Sequence, residues 1–142
     1  MKPKEYLHQA YRLDKRIQSN IEEMDRLREM SVSVSSLRYD REPVKTSGLN
    51  DAPFVKCIER IMDLEEKINR EIDTLVALKK QIREVISRVT DTDEQMVLRY
   101  RYVHNYTWEH IGDELHADKS TVRRWHSSAL AHVKMPDNPI TI

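Results

Sequence analysis

The chain has 142 residues, enough for one compact domain or for a small domain joined to an extended element. Charged side chains make up 34 % of it and only two glycines and five prolines occur, a scarcity of turn residues that excludes an all-β fold with many tight turns. With 24 acidic against 24 basic side chains the net charge is zero, so there is no general attraction to nucleic acid and any binding to it must come from a local patch.

The first element runs from about Pro3 to Met30. Tyr6, Leu7, Ala10, Leu13, Ile17, Ile21, Met24 and Leu27 recur in steps of three and four, which is one apolar stripe along a long helix. Pro3 suits its first turn. From Ser31 to Asn50 the periodicity stops; five serines, Pro43 and Gly48 predict a polar, mobile loop over about 31–50. A second stripe follows through Val55, Ile58, Ile61, Leu64, Ile68, Ile72, Leu75, Leu78, Ile82, Val85 and Val89, with charges of alternating sign beside it. Such a length without Gly or Pro predicts a coiled-coil-like helix. The simplest arrangement folds the first helix back on the second as an antiparallel hairpin over 1–90. The surplus apolar surface of the longer helix then packs on the C-terminal module or on a second copy of the chain.

The remaining residues are punctuated differently. Thr92 with Gln95 three residues later predicts a capping box, with Asp93 and Glu94 favourable to the helix dipole. That helix carries Met96, Val97, Tyr100 and Val103 and stops near His104-Asn105. Thr107 caps the next, whose stripe is Trp108, Ile111 and Leu115. His116-Ala117 makes a short turn, Asp118 is the next N-cap, and a third helix runs to about Lys134, ahead of Pro136 and Pro139. Three short helices over 91–135, followed by a tail at 136–142, predict a tri-helical bundle. The whole chain therefore reads as all-α: a long N-terminal antiparallel helical hairpin, then a three-helix domain.

On the last helix Val122, Trp125, Ala129 and Val133 share one side, while Ser120, Arg123, Arg124 and Ser127 share the other. A helix entering the DNA major groove needs an apolar back that sets its pose and donors near its first turns. Arginine forks to guanine edges or phosphate, while hydroxyls and first-turn N–H groups suit phosphate oxygens. Lys119, Ser120, Thr121, Arg123, Arg124 and Ser127 are thus the candidate DNA-binding residues. Gly112 sits where two helices of such a unit come close and a side chain would obstruct them.

The stretch Leu98-Arg99-Tyr100-Arg101-Tyr102, then Thr107-Trp108-Glu109-His110-Ile111-Gly112-Asp113-Glu114-Leu115, then Lys119-Ser120-Thr121-Val122-Arg123-Arg124 and Ala129-Leu130 resembles region four of bacterial sigma factors. Across the whole chain, "MKPKEYLHQAYRLDKRI", a serine linker, "DLEEKINREIDTLVALKKQI" and this module resemble small phage and prophage proteins of Gram-positive bacteria related to the ArpU and RinA type late transcription regulators. The resemblance implies a helix-turn-helix that reads promoter double-stranded DNA together with RNA polymerase in a bacterial cytoplasm, and homo-oligomerisation through the hairpin. His116 stands where that family's turn usually has glycine, so a left-handed conformation there costs more than glycine would. Acidic residues at 91, 93, 94, 109, 113, 114 and 118 dilute the module's basic charge.

Other chemistry has little to rest on. The histidines at 104, 110, 116, 126 and 132 lack zinc spacing, and His110 and His126 read as surface or phosphate-facing. No phosphate loop, nucleophile elbow or paired-acid site occurs, so neither an enzyme nor a cofactor is expected. No run of about 18 apolar residues suggests a membrane span. The sole cysteine, Cys57, reads as a small apolar filler. Two other functions remain open at this point: a small-terminase-like DNA packaging protein, and a helical adaptor that captures a host protein.

Overall fold

After Pro3 neither glycine nor proline occurs before Pro43, so nothing in the sequence stops the first helix early. In a computed structural model of the chain, residues 1–40 and 52–142 are described, with the backbone alone for 33–40. Every element among them is helical. They are α1 (Pro3–Asp40), α2 (Ala52–Ser87), α3 (Thr92–Leu98), a π-helical segment (Arg99–Val103), α4 (Trp108–Leu115) and α5 (Lys119–His132). None of these helices is long and apolar enough to cross a membrane.

α1 thus continues ten residues past the expected stop at Met30. Serine only weakly disfavours a helix interior, and the buried Ser31 hydroxyl donates to the Arg28 carbonyl at 2.8 Å, one turn back. The rest of the predicted loop, 41–50, lies outside the described residues. α2 opens with Pro53 in its first turn and ends at Ser87, two residues before Val89, the last position of the expected stripe.

The described chain divides into two compact units, Met1–Asp14 with Thr74–Ile142, and Lys15–Asp73. In the first, Tyr6, Leu7 and Ala10 of α1 share a core with Leu78, Ile82, Val85 and Ile86 of α2 and with Leu98, Tyr102 and Ala129. A second cluster joins Val97, Ile111 and Val122, flanked by Tyr100, Tyr106, Trp108, Leu115 and Trp125. The segment after α5 is not loose: Met135, Ile140 and Ile142 pack on the first cluster. Two glutamines hold it. Gln9 donates to the Ile140 carbonyl (2.9 Å) and accepts from the Ile142 N–H (3.1 Å). Gln81 accepts from both Tyr6 Oη (2.6 Å) and the Ile140 N–H (2.9 Å) and donates to the Asn138 carbonyl (3.0 Å).

In the second unit Ile17, Met24, Ile61, Leu64 and Ile68 are buried. Asn20 donates to Glu71 at 2.6 Å, and Arg60 meets Glu23 at 3.2 Å. The stripe positions Val55, Ile58 and Ile72 of α2 and Ile21 of α1 stay exposed, as does Met62. Cys57 is half-buried on α2.

Candidate nucleic-acid interface

The start of α3 differs from the expected box by one residue. Asp91, in extended backbone, is the N-cap, and its carboxylate accepts from the Glu94 N–H at 3.0 Å. Gln95 is thereby released from any capping box. Its amide turns instead to the end of α2, within 3.2–3.5 Å of the carbonyls of Ile86, Ser87 and Val89. Helix ends leave such carbonyls without intrahelical partners, so Gln95 ties α2 to α3. After Leu98 the helix widens to the π pattern, closed by the His104 N–H on the Arg99 carbonyl at 3.1 Å.

α4 and α5 are punctuated as their sequence demands. The Thr107 hydroxyl accepts from the His110 N–H (3.2 Å), and the Asp118 carboxylate accepts from the Thr121 N–H (2.8 Å). Between the helices His116 adopts φ 53°, ψ 46°, the left-handed conformation that ends α4. The tightness of this turn explains Gly112. A Cβ there would lie 2.6 Å from the Ala117 carbonyl oxygen and 3.9 Å from Val122 Cγ2, so the obstruction is the backbone of the turn rather than the facing helix.

On α5 Val122 and Ala129 are fully buried, while Lys119, Ser120, Arg123, Arg124 and Ser127 are exposed and Thr121 is half-buried. The six candidate residues therefore share the outward side of one helix. Their electrostatics are less uniform than the sequence suggests. Lys119 Nζ sits 2.5 Å from a Glu109 oxygen, a contact that holds the Glu109 carboxyl below its ordinary range. Asp118 is held low too, chiefly by hydrogen bonds from Thr121 and Ser120, with Arg124 adding to the effect. The Ser120 hydroxyl and the Thr121 N–H thus already serve a carboxylate. Among the described residues, Arg123 and Arg124 form no ion pair. They are the cations of this face that remain available.

Behind α5 lies a polar arrangement that the periodicity did not disclose. His126, expected at the surface, is buried with its Nε2 2.7 Å from Tyr102 Oη and its ring edge-on to Trp108 at 4.8 Å. Burial first, then Lys4 and Arg101, push the imidazole down to about 4, and burial pushes the Tyr102 phenol up to about 12. Both are neutral at pH 7, so this is an uncharged hydrogen bond inside the core. Glu94, read from sequence only as favourable to the helix dipole, is buried; it accepts from Ser128 Oγ (2.5 Å) and meets His132 Nδ1 (2.8 Å), joining α3 to the end of α5. The guanidinium of Arg101 lies 4.3 Å over the Trp108 ring and donates to the Tyr106 carbonyl at 2.9 Å. Tyr106 in turn stacks on His110 at 3.8 Å. A histidine at the i+4 position from a helix's buried Val122 was the one available sign that His126 faces inward.

No group of three or more His, Cys, Asp or Glu side chains among the described residues is placed to hold a metal ion. No curated protein and no solved structure matches this chain. One family does, over residues 10–134, a span that takes in α1 from Ala10 onward, α2 and the three short helices, and the chain belongs to it: the family described as "Protein of unknown function (DUF722)".

Proposed function

We propose that the protein is a DNA-binding transcription regulator of phage type. In this reading α4, the His116-Ala117 turn and α5 form a sigma-region-four-like helix-turn-helix, and α5 is its recognition helix. The observation that carries it is the division of α5. Val122 and Ala129 anchor one side in the core, and the other side presents Arg123 and Arg124, which form no ion pair among the described residues. Ser120, Thr121 and Ser127 supply hydrogen-bond capacity beside them, and Lys119 is reachable once a phosphate competes with Glu109.

The reading assigns α1 and α2 to an antiparallel, coiled-coil-like hairpin that serves as a dimer surface or as an arm toward RNA polymerase. The pairings Asn20–Glu71 and Glu23–Arg60 support opposite running directions, and exposed Val55, Ile58, Met62 and Ile72 support a partnered face. Zero net charge and two acids beside the start of α5, its N-cap Asp118 and Glu109 of α4, favour a reader assisted by a partner over a solitary tight binder.

The test is to sequence the DNA retained by the full chain in cells and to measure binding to that DNA by mobility shift. Replacing both Arg123 and Arg124 by Ala is expected to weaken binding about tenfold or more, since each good base contact contributes about 1–3 kcal/mol. Unchanged affinity in a folded double variant refutes the assignment.

A further inference from the structure

A second site lies wholly within the unit made of Met1–Asp14 and Thr74–Ile142. It is a cleft of about 320 Å³ lined by Lys4, Glu5 and His8 of α1 and by Arg101, Tyr102 and Trp108. Arg101 is fixed in place there, its guanidinium seated on the Trp108 ring and tied by Nη1 to the Tyr106 carbonyl. A guanidinium held in this way gives up little rotamer freedom when it binds an oxyanion, and most of its five N–H donors are still uncommitted. Among the described residues neither Lys4 nor Arg101 forms an ion pair, even though Glu5 lines the same cleft. Two cations therefore face a cavity beside an aromatic wall without being neutralised. Their field reaches the neighbouring imidazoles: after burial, Arg12, Arg101 and Lys4 disfavour protonation of His8, and Lys4 and Arg101 do the same at His126.

We infer that this cleft binds a phosphate group between Lys4, His8 and Arg101. A phosphate ester carries up to two negative charges near neutral pH and several strong acceptor oxygens, which matches two cations and an imidazole N–H able to donate. A carboxylate offers one charge and two oxygens, and leaves one of the two cations unmatched. The cavity lies at the small end of the range for ligand pockets, suiting a single phosphate with one attached group. That phosphate comes either from a soluble monophosphate or from a nucleic-acid backbone, and the chemistry of recognition is the same for both.

Two titrations of the ¹⁵N-labelled full chain distinguish the sources. In the first, inorganic phosphate and then adenosine monophosphate are added while the Trp108 indole N–H and the His8 ring are followed by NMR. Saturable shifts at both groups, weakened about tenfold by Lys4→Gln or Arg101→Lys, are expected for a soluble ligand. In the second, duplex DNA is titrated at several salt concentrations, and Lys4→Gln is expected to lower the salt slope by about one if the backbone is the source. Lys4 is exposed, so its variant keeps the test valid even if Arg101→Lys fails to fold. Silence in both arms, or equal affinities in wild type and Lys4→Gln, overturns the inference; so does a glutamate-rich peptide whose shifts phosphate cannot displace. The first arm is independent of the DNA reading of α5. A chain that binds phosphate but no DNA sinks that reading alone, whereas one that binds DNA through Arg123 and Arg124 and ignores phosphate in both arms sinks this one alone.

Discussion

His126 makes the fold of the C-terminal helices sensitive to acid, and the size of the effect follows from its surroundings. Its imidazole falls from the ordinary 6.5 to about 4 in the folded chain. Between those values the unfolded chain binds the proton and the folded chain does not. The stabilisation is therefore fully present above pH 6.5 and is lost as the pH falls through 4. At about 1.4 kcal/mol for each pH unit between the two values, the full difference corresponds to about 3 kcal/mol. Allowing for solvent screening at the rim of the site, about 2 kcal/mol is expected. His8, lowered by burial and by Arg12, Arg101 and Lys4, acts in the same direction. The comparison is therefore with His126→Gln, which keeps His8 and can still accept from Tyr102 without titrating. Urea unfolding followed by tryptophan fluorescence isolates this unit, because Trp108 and Trp125 both belong to it. From pH 7 to pH 4 the wild type is expected to lose about 2 kcal/mol more than the variant. Parallel stability curves for the two proteins, or an NMR titration midpoint for His126 at or above 6.5, refute the reasoning.

Two further outcomes test the packing. Gly112→Ala sets a methyl 2.6 Å from the Ala117 carbonyl oxygen, and overpacking of about 1–3 kcal/mol outweighs the roughly 1 kcal/mol that alanine gains in helix propensity; a lower urea midpoint checks it. Gln81→Ala removes the acceptor of the buried Tyr6 hydroxyl, whose phenol burial and Glu84 push up to about 12, together with both bonds to the 138–140 backbone. A loss of about 1–3 kcal/mol is expected, with faster proteolysis of the segment after α5 as the second measurement.

The sequence is most informative where a side chain acts on its own backbone. Thr107, Asp118 and the stop at His116 are readable because capping and left-handed turns involve a few consecutive residues. Asp91 rather than Thr92 caps α3 because two good caps stand side by side and local chemistry does not choose between them. The extension of α1 to Asp40 was hidden by serines, which weaken a helical pattern without breaking the helix.

The outward set Lys119, Ser120, Thr121, Arg123, Arg124 and Ser127 was likewise readable from a period of 3.6 residues, since Val122 and Ala129 orient the helix. Tertiary structure alone decided which of its charges stay available. Glu109 comes from another helix to meet Lys119, and Glu94, 38 residues before His132, is drawn into the core by partners on α5. The cleft that unites Lys4 and His8 with Arg101, nearly a hundred positions apart, likewise has no local sign. Periodicity reports which side of a helix is apolar. It does not report which distant side chain will be pressed against that helix, because that depends on how the elements pack. The outward face of α5 was thus determined by sequence, and the fold decided that, among the described residues, Arg123 and Arg124 are its cations without an ion pair, backed by a neutral His126–Tyr102 pair.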